Sequence, residues 1–278
     1  MTIRIALLLA ACIASTGCTV SNDQEVAIGK QDSDQINAQL PLVTDPAVAG
    51  FVDQLGQTIA AKTSRADLTW HFYVVDTRDV NAFALPGGFI YVNRGLIEQT
   101  DKLDELAGTI GHEIGHVVRR HAVDQMTKQT GANIGISLAC TLTRICQSAA
   151  TQVVINTAGS ALFARYSRQD ESQADSEAVV NVINVGIDPR GIPELFEILV
   201  RERQRAPSRL DGFFASHPLE ESRIAATQAE IAQYDPAKLD KLVADDDTYH
   251  SFKRAVANLP PPPPPRARQM QLRPESQP

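Results

Sequence analysis

The sequence has no excess of basic residues. Its 278 residues include 26 Lys and Arg against 33 Asp and Glu, which gives a formal net charge of −7 at pH 7. A nucleic-acid-binding domain normally carries a basic patch or stripe, so this composition argues against nucleic acid as a partner. With 43% apolar and 21% charged residues, the chain has the composition of a soluble globular protein. Its length is enough for one sizeable hydrophobic core.

The sequence also lacks an apolar run long enough to span a bilayer. Near its start, Arg4 precedes an apolar run over residues 5–14, which is shorter than the roughly 20 residues of a membrane-spanning helix. This pattern predicts an export signal over residues 1–17. Gly17 followed by Cys18 resembles the lipobox of bacterial lipoproteins, with ordinary cleavage after Gly17 as the alternative. The resemblance implies a lipid anchor at Cys18 in the outer membrane, facing the periplasm.

Cysteine is scarce, with four residues in the chain. Signal cleavage would remove Cys12 and lipidation would modify Cys18, which leaves Cys140 and Cys146. In an oxidising compartment these two thiols could form a disulfide. On one straight helix they would lie about 9 Å apart along the axis, too far for the bond. Whether they pair therefore depends on a turn between them.

The chain shows no internal repeat of the length typical of helical arrays. Residues 18–40 are polar and predict a tether or a short peripheral helix. Residues 41–250 have the mixed pattern of one folded domain. Residues 251–278 contain six consecutive prolines and predict a disordered, extended tail. A partner-binding role for that tail is the alternative to a solvated spacer.

Hydrophobic spacing predicts mainly helices. A small hairpin or meander is expected from two β-rich segments, residues 68–75 and 89–92. Asp101 is expected to cap a long helix that continues past residue 116. The other predicted helices cover residues 46–62, 169–185, 190–204 and 219–232. One or two more buried helices are expected within 131–164, with a lid or membrane-facing segment as the alternative.

His112, Glu113 and His116 form an H-E-x-x-H motif inside the long helix. Residues four apart share one helix face, so the two imidazoles can bind one Zn²⁺. Glu113 is then placed to activate a zinc-bound water, first as general base and then as acid. A solvated face that matches by chance is the alternative. Burying these groups without a metal would be costly, which favours the metal site.

A catalytic zinc needs three protein ligands and one open position. The next histidine, His121, follows five residues after the motif, a spacing that turns its side chain away from the metal face. The third ligand is therefore expected within residues 167–175, where Glu171 and Asp170 both offer a carboxylate. Spacing alone does not separate these two. Asp175, one turn beyond Glu171, can orient a zinc-bound histidine.

Several segments, in order, resemble metallopeptidase family forty-eight, the HtpX and CAAX prenyl protease family. The matching segments lie at residues 81–88, 112–116, 166–175, 186–189 and 216–218, followed by Arg223. The chain has neither the membrane spans of some members nor the repeat domain of others. It therefore resembles the soluble periplasmic branch of BepA-like and LoiP-like lipoprotein peptidases, and the short form is closer to LoiP.

The resemblance implies roles for particular residues. It makes Glu171 the third zinc ligand, with Asp175 behind the ligands. It places His217 near the metal, where it stabilises the oxyanion or occupies the open position and holds the enzyme latent. Taken alone, His217 would be a surface-loop histidine. The resemblance also implies an edge strand that pairs with extended peptide substrates, formed by Asn81, Ala82, Phe83, Ala84, Gly87 and Gly88.

We therefore predict an α+β fold, a helix-dominated zincin (gluzincin) peptidase domain with a small β-sheet beside the active-site helix. One Zn²⁺ per chain is the expected cofactor. The expected activity is zinc-dependent endopeptidase cleavage of misfolded or misassembled cell-envelope proteins. A latent protease that acts mainly as a periplasmic chaperone or adaptor for outer-membrane proteins is the alternative. Expected partners are protein or peptide substrates, the membrane through Cys18, and an envelope protein bound by the Pro-rich tail.

Overall fold

The computed structural model describes residues 20–128, 166–218 and 221–263. Several predicted features lie outside these ranges: the signal peptide, Cys18, the Cys140 and Cys146 pair, the helices expected within 131–164, and the end of the tail. Among the described residues, no helix is both long and apolar enough to cross a membrane.

Helices dominate the described ranges, as predicted. The first range contains α1 (Asn22–Asn37), α2 (Pro46–Ala60), α3 (Arg94–Gln99), α4 (Leu103–Val118) and α5, whose described part spans residues 121–128. The later ranges contain α6 (Arg168–Asn184), α7 (Gly191–Arg205), α8 (Pro207–Ser216), α9 (Glu221–Ile231), α10 (Pro236–Leu239) and α11 (Asp247–Asn258). The strands are β1 (His71–Val75), β2 (Ala82–Leu85) and β3 (Phe89–Asn93). The predicted helices that fall within the described ranges are confirmed, with ends shifted by one or two residues.

The described strands form one sheet in the order β1-β3-β2. The antiparallel hairpin of this sheet is formed by β2 and β3. Their turn contains Gly87 and Gly88 at φ of 76° and 102°, a backbone region that favours glycine. The hairpin prediction is wrong for β1 and β3, which run parallel. Parallel neighbours need a crossover connection, and the inserted segment with β2 supplies it.

The sheet lies between two helical layers, so all five residues of β3 are buried. Because side chains alternate along a strand, Ile90 and Val92 join the main core with α2 and α4. Phe89 and Tyr91 face a second cluster with Ile36 of α1. The predicted tether thus contains a 16-residue helix docked on the sheet.

Small residues bring α4 and α6 close together. A Cβ on Gly111 would lie 3.4 Å from the Cα of Ala178. A Cβ on Gly115 would lie 3.0 Å from the carbonyl oxygen of Ala174 and 2.9 Å from Glu177 Cβ. The contacts at Gly115 are too short for any side chain, and those at Gly111 leave no room beyond a methyl group. Each glycine directly precedes a histidine of the H-E-x-x-H motif, so the two helices lie close together beside that motif.

Helix α4 begins later than predicted. Lys102, not Asp101, holds the N-cap position. The Glu105 carboxylate reaches back and accepts from the backbone N–H groups of Asp101 at 2.5 Å and Lys102 at 3.2 Å. These bonds satisfy donors that every helix start leaves unpaired. The N-terminus of α4, the helix that carries the motif, is therefore capped by Glu105 and not by an aspartate.

The C-terminal boundary drawn at residue 250 falls inside α11. Phe252 and Val256 of this helix are 3% and 1% exposed and belong to the main core. Phe252 stacks on Phe51 of α2 with ring centroids 4.3 Å apart. Apolar side chains on one face of α11 are buried by this packing, so the folded domain extends to at least residue 258.

Candidate metal centre

Helix α4 presents the two motif histidines on one face. His112 and His116 are one turn apart, and their Nε2 atoms lie 3.0 Å from each other. Both side chains are almost completely buried. Two imidazole nitrogens at this separation can share one small cation, because a tetrahedral zinc with bonds of about 2.0–2.1 Å holds its donors roughly 3.3 Å apart.

Helix α6 adds the third donor. Glu171 is fully buried, with one carboxylate oxygen 3.6 Å from His112 Nε2 and the other 3.5 Å from His116 Nε2. These separations and the 3.0 Å between the two imidazoles bracket the value for a tetrahedral zinc site. The two histidines and the glutamate predicted from the sequence are therefore brought together.

His217 follows α8 and completes the cluster. Donor atoms of His112, His116, Glu171 and His217 all lie within 4.8 Å of one another, and all four side chains are buried. His217 Nδ1 lies 3.1 Å from Glu171 Oε1, and its Nε2 lies 3.6 Å from Glu113 Oε1. Burial would lower the pKa of His217, but the carboxylates of Glu171 and Glu113 raise it above its ordinary value.

Glu113 stands beside this cluster without belonging to the donor set. It is fully buried, and neither carboxylate oxygen has a hydrogen-bond partner among the described residues. Burial raises the pKa of Glu113, although His217 and His112 act in the opposite direction. A buried carboxylate needs a compensating partner, which a reacting water would supply.

The protonation states suit metal binding. Burial lowers the pKa of His116 well below its ordinary value, so the imidazole is neutral. Burial would raise the pKa of Glu171, but His217 and the hydrogen bonds from His116 and His217 outweigh it and hold this pKa well below its usual range. Neutral imidazoles and an ionised carboxylate are the forms that bind a metal ion.

Asp175 lies behind His112. Its Oδ1 is 2.9 Å from His112 Nδ1, the ring nitrogen opposite the cluster. Arg223 from α9 forms two hydrogen bonds to Asp175, at 2.8 and 2.7 Å, and lies 2.5 Å from Glu171. The sequence had marked Arg223 as part of a family motif without a role. Its guanidinium joins two carboxylates of α6 to α9 and offsets their charge.

Sequence reasoning missed the groups around His116. The Tyr166 ring stacks on it with centroids 3.8 Å apart. His121, expected to point away, has its Nδ1 2.9 Å from His116 Nδ1. The expectation assumed a continuous helix, but α4 ends at Val118 and Arg120 adopts a φ of 57°. This left-handed residue redirects the chain, so the His121 ring returns to the cluster.

Asp170, the competing carboxylate, has a different position. It accepts from the backbone N–H of Ser167 at 2.9 Å, while the Ser167 hydroxyl accepts from the Asp170 N–H. This reciprocal pair is a capping box at the start of α6. The S-x-x-D spacing was visible in the sequence and could have separated Asp170 from Glu171.

The predicted substrate strand coincides with β2, an edge strand among the described residues. The Asn93 N–H donates to the Asn81 carbonyl at 2.9 Å. Because pairs alternate along antiparallel strands, the backbone groups of Ala82 and Ala84 point away from β3. Ala84 and His116 border the same small cavity. Ala82 and Ala84 are 0% and 5% exposed, so this outward edge of β2 is buried beside the cavity.

Comparisons with known proteins agree with this geometry. A model described as peptidase family M48 matches residues 46–231. The beta-barrel assembly-enhancing protease of Yersinia pestis is 29% identical over 228 residues, covering 80% of this chain and 47% of the relative. Mitochondrial metalloendopeptidase OMA1 of Arabidopsis thaliana is 34% identical over 161 residues, covering 57% and 31%. Metalloprotease YcaL of Escherichia coli is 30% identical over 163 residues, covering 58% and 62%. The chain thus spans about half the length of the assembly-enhancing protease it matches.

Proposed function

The chain belongs to peptidase family M48, the family that its motifs predicted, and we propose that it is a zinc-dependent endopeptidase of misfolded or misassembled cell-envelope proteins. The observation that carries this proposal is the buried cluster of His112, His116, Glu171 and His217, with donor atoms within 4.8 Å of one another. Buried donors of this kind at this spacing fit zinc, and three of them leave one position for the reaction.

In this proposal His112, His116 and Glu171 hold the ion. When bound, zinc supplies Lewis acidity that makes water a nucleophile at neutral pH and polarises the substrate carbonyl. Asp175 Oδ1 lies 2.9 Å from His112 Nδ1 and keeps the Nε2 of that ring directed at the cluster.

Glu113 acts as general base and then as general acid. Its carboxylate accepts the proton of the attacking water and returns it to the leaving amine. Burial supports this role, because a raised pKa brings the carboxyl closer to neutrality, where acid and base catalysis are both efficient.

His217 has two candidate roles at the same place. Its Nε2 lies 3.6 Å from the Glu113 carboxylate. A donor there stabilises the oxyanion. As a fourth ligand it would instead close the open position and hold the enzyme latent.

Strand β2 is the proposed substrate platform. An extended peptide can pair with the backbone groups of Ala82 and Ala84 that point away from β3, because edge strands bind peptides by adding one more strand. Asn81 and Phe83 flank these positions, and the Gly87 and Gly88 turn ends the strand. Main-chain pairing selects extended and unfolded segments over folded ones, which fits misfolded proteins as substrates.

The proposed location is the periplasm, with a lipid anchor at Cys18 in the outer membrane. The support is the N-terminal motif and the name of a relative, the beta-barrel assembly-enhancing protease of Yersinia pestis. The Pro-rich tail is proposed to reach an envelope protein partner. The chaperone alternative is less favoured, because the family and its relatives carry peptidase names.

The test is the Glu113→Gln variant, measured with an unfolded protein substrate such as casein and for zinc content. We expect zinc to stay at one per chain while cleavage falls by at least about 10³-fold, because only the proton acceptor is lost. Glu98→Gln is the matched control, since Glu98 on α3 is a partly exposed partner of Arg94. Full cleavage by Glu113→Gln would contradict the role of Glu113. Unchanged handling of client proteins by this inactive variant would favour the chaperone alternative.

A further inference from the structure

His121 is a buried histidine with no assigned role. It is 2% exposed and lies at the start of α5, directly after Arg120 in its left-handed conformation. Its Nδ1 is 2.9 Å from His116 Nδ1, and the two rings meet edge to face at 73°. Its Nε2 is 3.0 Å from Gln173 Oε1. Both ring nitrogens therefore have partners in the fold.

The hydrogen positions in the contacts from His116 through His121 to Gln173 follow from metal binding by His116. The proposal made below therefore rests on the proposed function. If His116 binds the ion through Nε2, its proton must be on Nδ1. That N–H then points at His121 Nδ1, which must be unprotonated to accept it. The His121 proton is accordingly on Nε2 and points at Gln173 Oε1, an obligatory acceptor. A single assignment satisfies all three groups.

We propose that His121 is a positioning residue that orients His116 toward the metal ion. It acts for His116 as Asp175 acts for His112, except that the acceptor is a neutral imidazole held by Gln173. Gln173 lies two residues after Glu171 on α6, so this one helix supplies a ligand and the support of another ligand. Orienting partners of this kind are typically worth 10- to 100-fold in metal affinity.

The experiment compares the zinc dissociation constants of full-length variants by competition with a chelator. His121→Phe keeps a ring but removes the acceptor, and we expect roughly 10- to 100-fold weaker binding. His121→Asn places a carbonyl oxygen near the Nδ1 position and is expected to recover most of the affinity. The matched control is His71→Phe, because His71 stacks on Phe89 in the sheet and its replacement should leave affinity unchanged.

Three results would overturn the proposal. The first is wild-type affinity in His121→Phe, which leaves the proposed function intact. The second is an equal loss in His121→Asn and His121→Phe, which would mean that packing and not the acceptor matters. The third is a wild-type protein that binds no zinc, which removes the proposed function as well.

A measurement on the unmodified protein keeps the proposal testable if His121→Phe does not fold. In zinc-loaded protein with ¹⁵N-labelled histidine, we expect His121 to carry its proton on Nε2 and to be bare at Nδ1. We expect His116 to be the other tautomer, with its proton on Nδ1. A His121 ring protonated on Nδ1 or on both nitrogens would contradict the assignment.

Discussion

Replacing Glu25 with Gln should destabilise the protein although Glu25 lies outside the region that the family model matches. Glu25 is completely buried on α1. Its carboxylate accepts from Arg65 at 2.7 and 3.1 Å and from the Gly87 backbone N–H at 3.1 Å, and it lies 2.8 Å from Arg120. Arg65 also donates to the Val117 carbonyl at the end of α4. One carboxylate thus connects α1, the β2–β3 turn and the active-site helix.

The expected magnitude follows from the burial of the partners. Removing one member of a buried ion pair costs about 3–5 kcal/mol, because the other charge stays buried without compensation. When the Glu25 charge is removed, the Arg65 guanidinium stays poorly solvated because its side chain is 11% exposed. The Arg120 side chain is 33% exposed, so water can solvate its charge. The amide of Gln also retains one acceptor. We therefore expect a loss of roughly 2–3 kcal/mol in the free energy of unfolding.

The assay is urea and thermal unfolding at pH 7 with fixed zinc. A loss of this size corresponds to a fall in Tm of roughly 5–10 °C for a domain of about 200 residues. Asp34→Asn on the same helix is the matched control. Asp34 pairs with Lys30 with both side chains 66% exposed, and such pairs contribute about 0–1 kcal/mol. If the two variants had the same Tm, the inferred function of Glu25 as a central connection would be refuted.

Two further predictions concern buried carboxylates. Burial raises the pKa of Asp104 to about 7, although Lys102 acts to lower it. Folded Asp104 therefore retains a proton that the unfolded chain releases above about pH 4, so its stabilising effect is present below pH 4 and is lost as pH rises through about 7. Asp104→Asn should flatten the pH profile of unfolding and stabilise the protein at pH 8 by on the order of 1–2 kcal/mol, allowing for solvent near Lys102; parallel profiles would contradict this. In the metal centre, Glu171→Ala should lose stoichiometric zinc while Asp170→Ala keeps it, as measured by elemental analysis after dialysis. Equal zinc loss in both variants would contradict the assignment of Glu171 as the ligand.

The core of the metal centre could be predicted because local spacing determines it. His112 and His116 share a face in any regular α-helix, and the capping box at Ser167 separates Asp170 from Glu171 by local rules alone. His217 is different, because its approach to the cluster depends on how α8 packs. Only the family resemblance pointed to that position.

The parts that sequence reasoning missed depend on non-local or unusual backbone geometry. Arg120 has no side-chain signal for a left-handed conformation, which is uncommon outside glycine, so the return of His121 could not be foreseen. The parallel pairing of β1 and β3 depends on strand order, which hydrophobic alternation does not encode. The burial of Phe252 was hidden because α11 directly precedes a proline run that is typical of a disordered tail.

The glycines beside the two histidines have a consequence for how this site can change. Gly111 and Gly115 have no side chains and therefore allow α4 and α6 to pack closely. The distance from Glu171 to the two imidazoles thus depends on how closely the two backbones approach. A bulkier residue at either glycine would push the carboxylate outward together with its whole helix. Tolerance to mutation in this protein should therefore be low also at two residues that touch neither the ion nor the substrate.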